Sequence, residues 1–196
     1  MRVMFINFIS IIFPGKIMFS MGLILVSLFN FCNLYAGVTI VGPGTVSNPT
    51  NSTVTCSGDC SGTTIIGLAD NTTNNAIIII EAGAILPNCK IHLGTNGTLT
   101  SSGSITANQT NNDTGGGNRG VIIASTGSSV TINAGLVTNS VSSGSGIELK
   151  AGATGVTVTI NGGTITASDN AYAAIDDNAQ TGGSLTVYIN GGTLTA

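Results

Sequence analysis

From about Arg119 onward the chain alternates apolar and polar positions in short runs that stop at glycine. In Val156-Thr157-Val158-Thr159-Ile160 the valines and the isoleucine share one side of an extended chain, and the threonines share the other. This pattern predicts strands with one dry and one wet face. Asn161-Gly162-Gly163 follows as a turn signal, because these residues accept left-handed backbone cheaply. Thr164-Ile165-Thr166-Ala167 then begins another strand.

The pattern recurs. Val130-Thr131-Ile132-Asn133-Ala134-Gly135 aligns with Thr159-Ile160-Asn161-Gly162-Gly163-Thr164-Ile165-Thr166-Ala167 and with Tyr188-Ile189-Asn190-Gly191-Gly192-Thr193-Leu194-Thr195-Ala196. Ile132 to Ile160 is 28 positions and Ile160 to Ile189 is 29. Asn96-Gly97-Thr98-Leu99-Thr100 reads as a weaker copy of the same motif. Each unit also has an earlier strand-like stretch: Gly120 to Ala124, Gly146 to Ala151, and Ala173 to Asp176. Val121 to Ile147 is 26 positions and Ile147 to Ile175 is 28. A period near 28 with two or three short strands predicts an all-β, right-handed parallel β-helix, one repeat to a coil. A single coil cannot bury its apolar side, so stability comes from stacking on its neighbours. A β-propeller blade would need about 40 residues or more. A sandwich or other antiparallel fold, with Asn-Gly hairpins, is the competing reading.

Three segments are expected: a leader over 1–36, an irregular start of the solenoid over 37–118, and regular repeats over 119–196. Within the second, Val38 to Val41 reads as a first strand. Ala76 to Ile80 is too apolar for an exposed strand and is expected to be buried. Asn111 to Gly120 reads as a loop excursion. The leader has two apolar runs split by Pro14-Gly15-Lys16, and it ends where the composition switches to Gly, Thr, Val and Asn. A basic residue before a short apolar run, with a small residue at the switch, is the pattern of an export signal. Cleavage is expected between Ala36 and Gly37, although Leu34 stands where a smaller residue is commoner. The competing reading is a retained anchor, since Ile17 to Ala36 matches the roughly 20 residues that span a bilayer. Met18 and Met21 are alternative starts. Phe31 before Cys32 argues against lipoprotein processing.

Composition changes the picture in one respect. Only 7% of residues are charged, against about 25% in ordinary globular domains. Surface polarity must therefore come from hydroxyls and amides. Beyond the leader three basic residues, Lys90, Arg119 and Lys150, face all eight acids. There is no basic stripe and too few aromatics for a stacking platform, so nucleic-acid binding is excluded.

Candidate chemistry is sparse. Cys56-Ser57-Gly58-Asp59-Cys60 predicts a local disulfide in an exported chain. Cys60 to Cys89 is 29 positions, the length of one coil, so a Cys60–Cys89 bridge between stacked coils is the alternative. A metal site would need His92 and Cys89 to complete it, and none is expected; His92 reads as a surface or ladder residue. Asp176-Asp177 could hint at calcium or lyase chemistry but reads as a solvated loop pair. The sequons at Asn51, Asn71, Asn96, Asn108 and Asn112 are expected by chance in so Asn- and Thr-rich a chain. No catalytic residue and no cofactor is assigned. Thr-x-Thr ladders can form the hydroxyl arrays of ice-binding solenoids, but coils of 26 to 29 residues with loops are expected to be too irregular for that.

The Thr-Ile-Asn-Gly-Gly-Thr-Ile-Thr-Ala motif behind an export leader resembles the passenger region of bacterial autotransporters (type V secretion), over about 37–196. The resemblance implies an elongated, non-enzymatic stalk of adhesin type, outside a diderm bacterium. It implies two partners: an outer-membrane translocator barrel, which this chain does not contain, and a ligand on a host or neighbouring cell. The sequence stops at Ala196 inside a repeat, which reads as a fragment, a truncated gene or a barrel on another chain. A polysaccharide-active β-helix lyase or hydrolase, and a small membrane-anchored structural protein, are the alternatives.

Overall fold

The structure is a computed structural model, and it describes residues 38–40, 44–46, 51–67, 75–107, 119–140, 144–167, 173–177 and 182–196. The leader, the cleavage positions Ala36 and Gly37, and the segment 108–118 lie outside the described residues. No helix of the described residues is long and apolar enough to cross a membrane.

The described residues form strands β1–β18, numbered along the chain, in three parallel sheets. The first sheet stacks β1 (Val38–Ile40), β3 (Thr53–Cys56), β5 (Ile77–Ile80), β8 (Thr98–Ser101), β11 (Ser129–Ile132), β14 (Val156–Ile160) and β17 (Leu185–Ile189). The second stacks β2 (Gly44–Val46), β4 (Thr63–Ile66), β7 (Lys90–Leu93), β10 (Ile122–Ala124), β13 (Ile147–Leu149) and β16 (Ile175–Asp176). The third stacks β6 (Ile85–Pro87), β9 (Ser104–Ala107), β12 (Leu136–Asn139), β15 (Thr164–Thr166) and β18 (Thr193–Thr195). From β5 on, the chain visits the first, third and second sheets in turn and then climbs to the next level. This is a parallel β-solenoid with a repeat near 28 residues. The parallel pairing of these strands overturns the antiparallel hairpin alternative. Parallel crossovers of this kind are right-handed in about 98% of cases.

The dry positions of successive strands fall on one another. Ile78, Leu99, Val130 and Val158 stack in the first sheet, and Leu86, Ile105, Val137 and Ile165 stack in the third. All eight are fully buried. Fully burying one such side chain contributes about 1.5–3 kcal/mol. Each coil exchanges that burial only with the coils above and below it.

The register corrects the sequence alignment at four places. Ile147 pairs with Ile122, not Val121, a step of 25. Thr98-Leu99-Thr100 belongs to the first sheet, whereas Thr164-Ile165-Thr166 belongs to the third; its true counterpart is Ser104-Ile105-Thr106. The run Ile77 to Ile80 is not wholly buried. The strand alternates despite its uniform composition, so Ile78 and Ile80 face the core while Ile77 is 44% exposed. Finally, coil length varies. Successive first-sheet partners Val54, Ile78, Leu99, Val130, Val158 and Val187 are 24, 21, 31, 28 and 29 positions apart, so the period near 28 describes the later coils.

The corner between the first and third sheets shows how the turn is made. In Asn161-Gly162-Gly163 only Gly163 takes positive φ, at 81°, and Gly135 and Gly192 do the same in the adjacent coils. The Asn161 amide nitrogen donates to Asn133 Oδ1 at 2.9 Å, and Asn190 donates to Asn161 Oδ1 at 2.8 Å. The asparagines therefore tie coil to coil through their side chains, and the left-handed residue is glycine.

Candidate functional surface

The charged residues of the described strands gather on the second sheet. Its inward positions are apolar: Ile91, Ile122, Ile147 and then Ile175 pair in order. The neighbouring outward positions are His92, Ile123, Glu148 and Asp176, paired in the same order. Lys90 lies on the same side two residues before His92. Unlike the wet sides of the other sheets, this one is covered: Lys90, His92 and Glu148 are 1%, 1% and 4% exposed.

Glu148 is the centre of a polar corner between the third and second sheets. Its carboxylate accepts hydrogen bonds from the backbone N–H groups of Arg119 and Gly120. Asn139, the last residue of β12, donates to the Arg119 carbonyl at 2.7 Å and to the Ser145 carbonyl at 3.3 Å. The Ser145 hydroxyl donates to Asp176 Oδ2 at 3.3 Å. Gly120 is pressed so closely on this corner that a Cβ would lie 2.6 Å from Glu148 Cβ. Burial pushes the Glu148 carboxyl up to about 6, helped by the Asp176 charge; the two N–H groups and Lys90 pull the other way and only partly offset it. A carboxyl in that range can take and release a proton near neutral pH. Here its accepting bonds hold the chain at Arg119 and Gly120.

The three described cysteines, Cys56, Cys60 and Cys89, occupy core positions. Cys56 and Cys60 are joined, with Cα atoms 6.6 Å apart. Cys56 pairs with Ile80, and Asp59 bridges to Ile85, which places Cys60 beside Leu86. The bridge therefore lies where the next coil sets Ile80 beside Leu86, linking the inward side of the first sheet to that of the third. It closes the corner in a coil whose third-sheet segment is a single β-bridge. Register also explains why the 29-residue spacing misleads: the local coil step is shorter, so Cys89 falls three residues beyond the level of Cys60. Cys89 is free and fully buried, and burial pushes its thiol up to about 12.

The remaining sequence candidates do not converge. His92 is buried in a ladder rather than on the surface. Asp176 is a strand residue paired with Glu148, not part of a solvated loop pair, while Asp177 is exposed. Asn51 and Asn96 are exposed, and the other sequon asparagines lie outside the described residues. Among the described residues no cluster of His, Cys, Asp and Glu could hold a metal ion. A shallow depression of about 200 Å³ lies at the corner after the second sheet, lined by Thr95, Ser125, Thr126 and Lys150 among others. The sequence did carry a signal for the Glu148 corner. Lys90-Ile91-His92 and Ile147-Glu148-Leu149 place charge or imidazole where other strands carry threonine.

No known protein family, curated protein or solved structure matches the chain.

Proposed function

We propose that this chain is an exported, surface-displayed solenoid stalk, similar to an autotransporter passenger in build and acting by presentation and adhesion rather than by catalysis. The in-register stacking of the three sheets is the observation that carries the reading. Such a solenoid lengthens one coil at a time, because each coil contacts only its neighbours. The Cys56–Cys60 bridge supports an oxidising destination, where disulfides persist. The apolar leader with Ala36 before Gly37 supports export. Glu148 supports a holding role, since its carboxylate is engaged by backbone N–H groups inside a covered corner.

The test is protease shaving of intact producing cells, with fractionation and N-terminal sequencing. A displayed stalk is digested from outside, and its mature chain begins at Gly37. Complete protection in intact cells, with release only after lysis, would overturn the reading. So would cleavage of pectin-like polymers by the purified chain.

A further inference from the structure

The outward side of the first sheet is a regular grid. Thr53, Ile77, Thr98, Ser129, Thr157 and Thr186 stack in register along the solenoid axis. Two residues further along each strand, Thr55, Ile79, Thr100, Thr131, Thr159 and Tyr188 form a second ladder beside the first. No register shift interrupts either ladder between β3 and β17. Strands lie about 4.8 Å apart and a two-residue step covers about 6.7 Å, so the hydroxyls of Thr98, Thr100, Ser129, Thr131, Thr157 and Thr159 repeat in two directions, bounded by Ile77 and Ile79 on one side and by Tyr188 on the other.

Three further properties define what this face can recognise. It carries no charge: the charged residues of the described strands, Lys90, Glu148 and Asp176, all belong to the second sheet. Its threonines are stiff, because a β-branched side chain is restricted at χ1 and each is half-buried between neighbours from Thr98 to Thr159. Little ordering cost is therefore left to be met on binding. The face is also a wall, not a pocket, with Tyr188 as the aromatic residue on its two ladders. A flexible polymer must first be ordered to match such a lattice, and an ionic one finds no charge on it. A solid that repeats in two dimensions gains at each hydroxyl node from Thr98 to Thr159.

Crystalline water is such a solid. Its prism faces present oxygens at a spacing close to the strand separation, and threonine hydroxyls can stand in for lattice oxygens while the methyls fill the gaps between them. We propose that the outward face of the first sheet binds ice. The uneven coil lengths are no obstacle: steps of 24, 21, 31, 28 and 29 residues are absorbed away from these strands and never reach the grid. The inference rests on the fold alone and stands apart from the stalk reading.

The experiment is ice-affinity partitioning of the full chain, purified with its disulfide oxidised. Ice is grown slowly from the solution, and protein is measured in the ice and in the liquid. Thr131→Tyr and Thr159→Tyr place bulk at the centre of the grid; Thr131→Lys and Thr159→Lys do so with an extended side chain that an outward strand position accommodates. Thr154→Tyr, at an exposed corner, is the control. The native chain and the control are expected to enter the ice, and the four grid variants to lose about tenfold or more in partitioning at unchanged circular dichroism. Exclusion of the native chain to the same degree as an unrelated soluble protein would overturn the proposal. So would grid variants that partition like the native chain. Exclusion from ice together with retention on insoluble crystalline polysaccharide would move the face to a different partner and overturn it equally.

Discussion

Replacing Glu148 by glutamine tests the polar corner most directly. The carboxyl titrates at about 6 in the folded chain, against 4.5 for the unperturbed group. The difference between these two values corresponds to about 2 kcal/mol. The sign follows from the cause. Burial favours the neutral form, so between these values the folded chain binds more protons than the unfolded chain, and stability falls as pH rises. The contribution is fully present below pH 4.5 and is lost as pH climbs through 6. Glu148→Gln removes it, while the amide oxygen can still accept an N–H from Arg119 or Gly120.

The assay is urea denaturation of both chains at several pH values from about 3.5 to 7, followed by circular dichroism. The difference between the two profiles isolates Glu148 from every other titrating group. Relative to Glu148→Gln, the native chain is expected to lose about 2 kcal/mol across this window. Parallel profiles would show that the corner does not perturb the carboxyl. A native chain that gained stability relative to the variant with rising pH would show that the N–H donors and Lys90 outweigh burial, reversing the argument.

Three further outcomes follow from the geometry. The Cys56–Cys60 bridge closes a five-residue loop, worth about 2 kcal/mol by loop-closure entropy, so a double Cys→Ser variant loses about that much in denaturant titration. A double Cys→Val variant loses less, because both positions face the core beside Ile80 and Leu86; equal losses would refute this placement. Gly163→Ala puts a Cβ 2.7 Å from the Gly135 carbonyl oxygen at positive φ, whereas Gly155→Ala meets nothing within 4 Å, so melting temperatures should fall further for the first than for the second, whose cost is the roughly 1–2 kcal/mol of left-handed backbone alone. Cys89 should resist alkylation at pH 8 in the folded chain and react fully in urea, because its thiol is buried and pushed up to about 12; rapid native labelling counted by mass spectrometry would contradict this.

The solenoid was legible because its signal is periodic. Alternation in Val156–Ile160 and the recurrence of Ile-Asn-Gly-Gly place strands and turns without any knowledge of partners. Register was harder, because Thr-Leu-Thr at 98–100 and Thr-Ile-Thr at 164–166 obey the same local pattern yet belong to different sheets. Only the strands stacked above and below tell them apart. The exposure of Ile77 is masked in the sequence for a related reason. Four consecutive isoleucines hide the period of two, but the pleat still sends alternate side chains outward. The Glu148 corner was least legible. Its carboxylate reaches back to Arg119, and Asn139 and Ser145 come to it from the end of one sheet and the approach to the next.

Those separations also explain how an irregular chain can carry a regular surface. A strand in a solenoid is positioned by its hydrogen-bonded neighbours, not by the length of the segment that delivers it. Extra residues can therefore enter at a corner without moving any strand, as the 31-residue step from Leu99 to Val130 illustrates beside the 21-residue step before it. The corners are then free to carry what the walls cannot: a disulfide where the third sheet dwindles to a single bridge, and a buried carboxyl where Arg119 and Gly120 are held against the second sheet. The walls are free to repeat. The first sheet keeps two unbroken ladders of mostly threonine because charge and irregularity are accommodated elsewhere in each coil. A charged residue at Thr131 or Thr159 would cost the fold little, as an outward position, yet the described strands of this sheet carry none. The described strands of the third sheet carry none either, so what sets the first sheet apart is the length of its two ladders, six strands in unbroken register.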